Sequence, residues 1–167
     1  MRMTSAEASK LLKKLNEDYT ALLLNESQSK DFVASVGENV DECRPEYDFK
    51  TMQAELADLE KKIRKVKHAI SVFNLTTKVP GFDMTMDEML IYIPQLSKKK
   101  MKLAEMKSKL KRERMKDGFG STIIDYRYIN YEVADAAAEY EAVATELAHA
   151  QTALDKVNST ESFEVEL

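Results

Sequence analysis

The densest chemistry in this sequence of 167 residues is basic. Lys98, Lys99, Lys100, Lys102, Lys107, Lys109, Lys111, Arg112 and Arg114 fall in a segment, 98–116, that holds ten cations against Glu105 and Glu113. Such a run can neutralise phosphates and displace their counterions, the chemistry of nucleic-acid binding. Nearby, Tyr126, Tyr128 and Tyr131 flank Arg127. Tyrosines so placed could stack on bases, although strand tyrosines more often pack across a sheet or against a helix. The segment 131–167 holds nine acids and one cation, Lys156, and the whole chain carries −4 at pH 7. No known nucleic-acid motif accompanies the basic run. Self-pairing of these opposite charges, within or between chains, therefore ranks above phosphate binding.

Other constellations are weaker. Glu146-Leu-Ala-His149 has the Glu-x-x-His spacing of di-iron carboxylate bundles, but those need paired copies with both residues in the core. In the heptad register set by Val143 and Leu147, Glu146 falls at g and His149 at c, off the seam. His68 falls at f on its own helix. With one thiol, Cys43, and two distant histidines, no zinc site assembles. Gly118-Phe-Gly120 is not followed by Lys-Ser/Thr and reads as a turn rather than a phosphate loop. Without a core-facing histidine, no serine or threonine has a base to activate it. The residues point to no enzyme, no metal and no cofactor.

The elements that must position these residues are long helices. Only four Gly and three Pro beside 44% hydrophobic and 32% charged residues match a helical profile. A lone cysteine fits a reducing compartment. The first residues lack the apolar core of a signal peptide, and the longest apolar runs are far too short to span a bilayer. A cytoplasmic, soluble chain without a membrane span is expected.

Thr4-Ser-Ala-Glu7 and Thr85-Met-Asp-Glu88 read as capping boxes, in which the threonine hydroxyl and the glutamate satisfy each other's orphan amides. They open helices expected over about 4–25 and 85–116, the second kinked or broken at Pro94. Pro45, or a lead-in capped by Asp48, opens another over about 46–75. There Phe49, Met52, Leu56, Leu59, Ile63, Val66, Ile70 and Phe73 step by 3,4,3,4,3,4,3 along one heptad seam. Val133, Ala136, Tyr140, Val143, Leu147, Ala150, Leu154 and Val157 repeat those steps in a helix expected over about 131–158. Alternation suggests short strands over 31–36, 122–130 and 162–167. Asn25, Asn74 and Asn158 match glycosylation sequons. Each lies at an expected helix end, where Asn74 and Asn158 suit a terminating, structural role. Six of nine methionines lie between Met84 and Met115, giving an adaptable apolar face for core or partner.

The two seams share one register at an offset of 84 residues, and the two capping boxes lie 81 apart. An internal two-fold duplication is the hypothesis, each half a helix, an extended connector and a second helix. Any two heptad helices can be aligned in register, which is the simpler reading.

The segments 73–90 and 126–131, with Ala153-Leu-Asp-Lys-Val-Asn158 and Phe163-Glu-Val-Glu-Leu167, resemble a family of small uncharacterised bacterial proteins labelled septicolysin-like. The resemblance covers most of the chain. It implies a helical fold, carries no established active site, and by its label implies a membrane-damaging toxin. The residues oppose that last implication, because neither long apolar helices nor lipid-facing strands of about ten residues are evident.

Taken together, the sequence indicates one mainly α domain over 1–167. It is an antiparallel long-helix (four-helix) bundle or coiled-coil-like fold with a small β element. The expected function is that of a non-enzymatic interaction or structural protein, self-associating as a homo-oligomer and open to a protein partner. A nucleic-acid role for the basic helix 98–116 ranks second, and a septicolysin-like toxin third.

Overall fold

The computed structural model describes residues 1–115 and 124–167. In chain order these form β1 (Arg2–Thr4), α1 (Ser5–Ser29), α2 (Val40–Cys43), α3 (Phe49–Thr76), α4 (Met86–Lys107), β2 (Arg112–Arg114), β3 (Tyr126–Tyr128), α5 (Val133–Thr160) and β4 (Ser162–Glu164). The fold is mainly α, built of long helices with small β elements. Two compact units divide it: Met1–Thr76 with Lys156–Leu167, and Thr77–Asp155.

In the first unit α1 and α3 run antiparallel. Tyr19 donates to Glu60 at 2.9 Å, and Gln53 and Tyr47 donate to Glu26 at 2.6 and 3.0 Å, so positions rise along α1 as they fall along α3. Met52, Leu56, Val66 and Phe73 of the heptad seam are buried. Met3, Ala8, Leu15, Val66 and Val165 form one apolar cluster, flanked by Leu11, Leu59, Ile63 and Ile70. β1 pairs antiparallel with β4, Met3 opposite Phe163. The Phe163 ring stacks on Phe73 with centroids 4.6 Å apart.

The second unit sets α4 antiparallel to residues 133–155 of α5. Tyr92 meets Glu146, Lys99 meets Glu139, and the Tyr131 hydroxyl donates to the Met106 carbonyl. Met86, Met89, Leu96 and Leu103 are buried with Ala136, Val143, Leu147 and Ala150. β2 and β3 form a separate antiparallel ribbon.

The expected boundaries shift for identifiable reasons. Both capping boxes form, with Thr4 and Thr85 as N-caps. Asp48 accepts from the Thr51 amide at 2.6 Å, so α3 starts at Phe49 rather than 46. The helix expected to reach 116 ends at Lys107, where the Ser108 amide and hydroxyl both bond to the Glu105 carbonyl. Leu110 continues the seven-residue spacing of buried Met89, Leu96 and Leu103 but is exposed, and Arg112-Glu113-Arg114 alternates into the ribbon instead. Residue 116 and residues 122–123 of the expected strand lie outside the described residues. Of 122–130, Tyr126–Tyr128 is strand, and of 162–167, Ser162–Glu164.

No strand forms over 31–36, which has no partner strand among the described residues. A turn follows there: Glu38 accepts from the Ser35 amide at 2.7 Å, and Gly37 takes φ +99°, a conformation that favours glycine. α4 also passes Pro94 without the expected break. Pro94 and Leu90 are both exposed, so water can serve the Leu90 carbonyl that the missing amide hydrogen leaves over.

The offsets seen in the sequence recur in three dimensions. α3 and α5 each span 28 residues, 84 apart at both ends. Buried Ser5, Ala8 and Leu15 of α1 match buried Met86, Met89 and Leu96 of α4 at an offset of 81. The Thr4–Ser162 pair of the first unit matches the Lys78–Thr85 bridge of the second under the same two offsets. Both are pairs without mutual hydrogen bonds: Val165 bonds to Met1 three pairs along the alternating ladder from Thr4–Ser162, and Val79 bonds to Met84 in the pair next to Lys78–Thr85.

Candidate functional site

The second unit contains the nine basic residues singled out above. α4 carries Lys98, Lys99, Lys100, Lys102 and Lys107; Lys109 and Lys111 lie in the turn after it; Arg112 and Arg114 lie on β2. They do not form one basic helix face.

Most of the lysines face acids or rings of the same unit. Lys99 pairs with Glu139 at 2.5 Å, Lys107 with Glu141 at 3.5 Å, Lys111 with Glu132 at 3.3 Å and Lys109 with Glu105 at 3.2 Å. Lys107 also sits 3.3 Å above the Tyr140 ring and Lys100 5.8 Å above it. Two of these ion pairs join the basic segment to the acidic helix α5, and a third joins it to Glu132 just before that helix, so self-pairing within the chain accounts for them. Such exposed pairs contribute little stability each, roughly 0–1 kcal/mol, but they occupy the charges. Among the described residues, Lys98 and Lys102 have no ion pair.

The arginines differ. In the β2–β3 ribbon Arg112 lies opposite Tyr128, Glu113 opposite Arg127, and Arg114 opposite Tyr126. Directly opposed residues share a face, and alternate residues of a strand share it too. Arg112, Arg114, Tyr126 and Tyr128 therefore occupy one face, while Glu113 and Arg127 oppose each other on the other. The Met115 amide bonds to the Asp125 carbonyl and the Ile129 amide to the Lys111 carbonyl, which makes the two Arg–Tyr pairs the non-hydrogen-bonded, closer-approaching kind. All six strand residues are exposed. The Arg112 guanidinium lies 4.7 Å over the Tyr126 ring, and the Tyr126 and Tyr128 centroids are 6.5 Å apart.

Sequence reasoning named the tyrosines and the arginines separately. The period-two alternation of Arg112-Glu113-Arg114 is the sequence signal that joins them. Gly118 to Gly120 and Lys116 fall outside the described residues.

A cleft of about 550 Å³ is lined by Gly81, Phe82, Glu141, Thr145, Glu146 and His149. The Glu-x-x-His pair borders it, but its chemistry is spoken for. Glu146 accepts from the Tyr92 hydroxyl, and that hydrogen bond, with some burial, raises the Tyr92 pKa above its ordinary range. The exposed His149 ring tilts against Phe82 at 5.6 Å. No group of three or more metal-ligating side chains occurs among the described residues.

Asn74 and Asn158 do not terminate their helices. α3 and α5 run two residues further, to Thr76 and Thr160, and each threonine hydroxyl bonds back to a carbonyl four residues earlier at 2.8 Å. No non-glycine residue takes a positive φ among the described residues, so neither asparagine adopts the left-handed cap geometry.

The apolar end of the first unit was not foreseen. Between α1 and α3, Phe32, Val33, Val36 and Val40 are exposed, with Leu24 and Phe49 flanking them.

No family model matches the chain, and no curated protein matches it. A crystal structure of a functionally unknown conserved protein from Corynebacterium diphtheriae is similar in fold. Its TM-score is 0.60 at 16% identity, and the match covers 98% of this chain and 100% of that one. The long-helix architecture is thus one that a solved bacterial protein shares along its whole length.

Proposed function

We propose that the chain is a non-enzymatic, cytoplasmic helical interaction protein that self-associates. The observation that carries this reading is the uncovered apolar end of the α1–α3 pair. Val33 and Val36 are 92% and 108% exposed, beside Phe32 and Val40. Several exposed apolar side chains within one short connecting segment are read as an interaction site, since they add nothing to a core. The heptad seams do not serve this purpose, because their residues are largely consumed inside each unit. A second copy of the same end is the occupant favoured here, since closed two-fold contacts between identical patches are the commonest assembly of soluble proteins.

The test is light scattering across protein concentrations, on the wild type and on a Val33→Ser/Val36→Ser variant. The reading expects an oligomer whose mass does not change on dilution, and a shift toward monomer in the variant. A wild-type chain that stays monomeric at about 100 μM, far above the micromolar range of specific interfaces, defeats it.

A further inference from the structure

We infer that the exposed face of the β2–β3 ribbon, formed by Arg112, Arg114, Tyr126 and Tyr128, is a binding platform for single-stranded nucleic acid. The inference goes beyond self-association and uses a different unit of the molecule.

A two-stranded ribbon that buries neither face contributes nothing to a core, and every residue of both strands is exposed. Its stability comes from cross-strand pairs and its tether to the helices. Those needs account for Glu113 opposite Arg127 and for Arg112 over Tyr126. Cross-strand pairing also uses Arg114 opposite Tyr126 and Tyr128 opposite Arg112, but pairing alone does not require one face to take all the rings. Moreover, the sorting of residue types is one-sided. One face holds two guanidiniums and two phenol rings and no acid; the acid sits on the other face with its own cation opposite.

Two rings and two guanidiniums on one strip supply what single strands offer. Bases stack on aromatic faces whatever their identity, and cations follow the phosphates. The ring centroids stand 6.5 Å apart, nearly twice the rise of about 3.4 Å between stacked bases, so two bases can use the two rings only when they are pulled apart. A duplex keeps its bases stacked and presents no free faces. A protein partner fits less well, since stable interfaces engage roughly 20–30 residues a side and this face has four. The lysines of α4 are not the site: Lys99 and Lys107 are tied to Glu139 and Glu141.

The experiment is fluorescence anisotropy of the full chain with a labelled thymidine oligonucleotide of about 12 nucleotides, compared with the same length of duplex and with vesicles containing phosphatidylserine. Micromolar affinity is expected at about 50 mM salt, falling about seven-fold by ~200 mM if two phosphates are neutralised on a single strand. Tyr126→Ala and Tyr128→Ala should each weaken binding about ten-fold, with the Phe variants restoring it. Arg112→Ala/Arg114→Ala should weaken binding and flatten the salt dependence, while Lys98→Ala/Lys102→Ala leaves it unchanged. Helical circular dichroism equal to wild type verifies that each variant is folded.

Several results would overturn the inference: no binding at ~100 μM, weaker than the usual non-specific range; loss confined to the lysine variant; indifference to the tyrosines, which would reduce the ribbon to a sink for any polyanion; duplex bound more tightly than single strand; or vesicles bound and oligonucleotide not. Because the affinity is read on whichever oligomer the wild type forms, a monomeric protein that binds would fail the proposed function and leave this inference standing.

Discussion

At the scale of residues, the two capping boxes are the sharpest agreement between local chemistry and local structure. Thr4 and Thr85 each accept from the amide three residues on at 3.3 Å, and Glu7 and Glu88 reach back to the threonine amides at 2.8 and 2.7 Å. Those backbone bonds, the largest influence on each glutamate, lower both pKa values below the ordinary 4.5. A carboxylate with a depressed folded pKa stabilises the fold fully above its unfolded pKa and loses that contribution as pH falls through the folded value. Both boxes should therefore weaken as pH falls below the ordinary glutamate value of 4.5. Removing an N-cap hydroxyl costs about 1 kcal/mol in typical proteins, so Thr4→Ala and Thr85→Ala should each destabilise by about that at pH 7. Denaturant melts at pH 7 and at about pH 3.5 check it: the cost of each substitution should shrink at the lower pH. An equal cost at both would show the glutamates do not take part.

At the scale of elements, the heptad pattern marks which residues can share a seam but not how far the partner helix extends. Phe49 and Phe73 open and close the same pattern, yet Phe49 is 64% exposed and Phe73 is 7% exposed. The difference comes from neighbours distant in sequence: Phe73 stacks on Phe163 of β4, while Phe49 begins α3 at the uncovered end of the unit. Phe73→Ala should accordingly cost about 3–5 kcal/mol, and Phe49→Ala no more than about 0.5 kcal/mol. Chemical denaturation of both variants decides it, and comparable losses would mean that the end of α3 is covered in solution. The same reasoning explains what could be read in advance. Helix starts were legible because threonine and glutamate satisfy amides within one turn. The end of α4 was not, because ribbon pairing of 112–114 with 126–128 depends on a partner a dozen residues away. Nor was the fate of Lys99, Lys107 and Lys111, which needed Glu132 and the acids of α5 brought alongside. The Arg–Tyr face of the ribbon combines both difficulties: its residue types were visible, and only the register showed that they share a side.

At the scale of the whole molecule, the second unit is one continuous piece of sequence, Thr77–Asp155, whereas the first is assembled from two pieces far apart in the chain. The first unit closes only when 156–167 returns to pair with the N-terminus. The N-terminal amine donates to the Val165 carbonyl at 2.8 Å, Arg2 donates to Ser162, and Val165 is wholly buried beside Met3, Ala8, Leu15 and Val66. Val165 is thus core and Phe163 packs against it, although they follow the last helix in a tail that includes three acids. Deleting 162–167 removes the ring that stacks on Phe73 and a buried valine, a loss comparable to a large core truncation of about 3 kcal/mol or more. For a chain of this size that lowers the melting temperature by about 6–12 °C. Hydrogen exchange on the truncated chain should place the loss in α1 and α3, with α4 and residues 133–155 of α5 exchanging as before. The second unit has its own closure, the Lys78–Thr85 bridge that repeats the Thr4–Ser162 pairing, and the deletion leaves it intact. Exchange that rises equally in all four long helices would mean that the chain unfolds as one cooperative body and that the repeated closures stabilise both units in common.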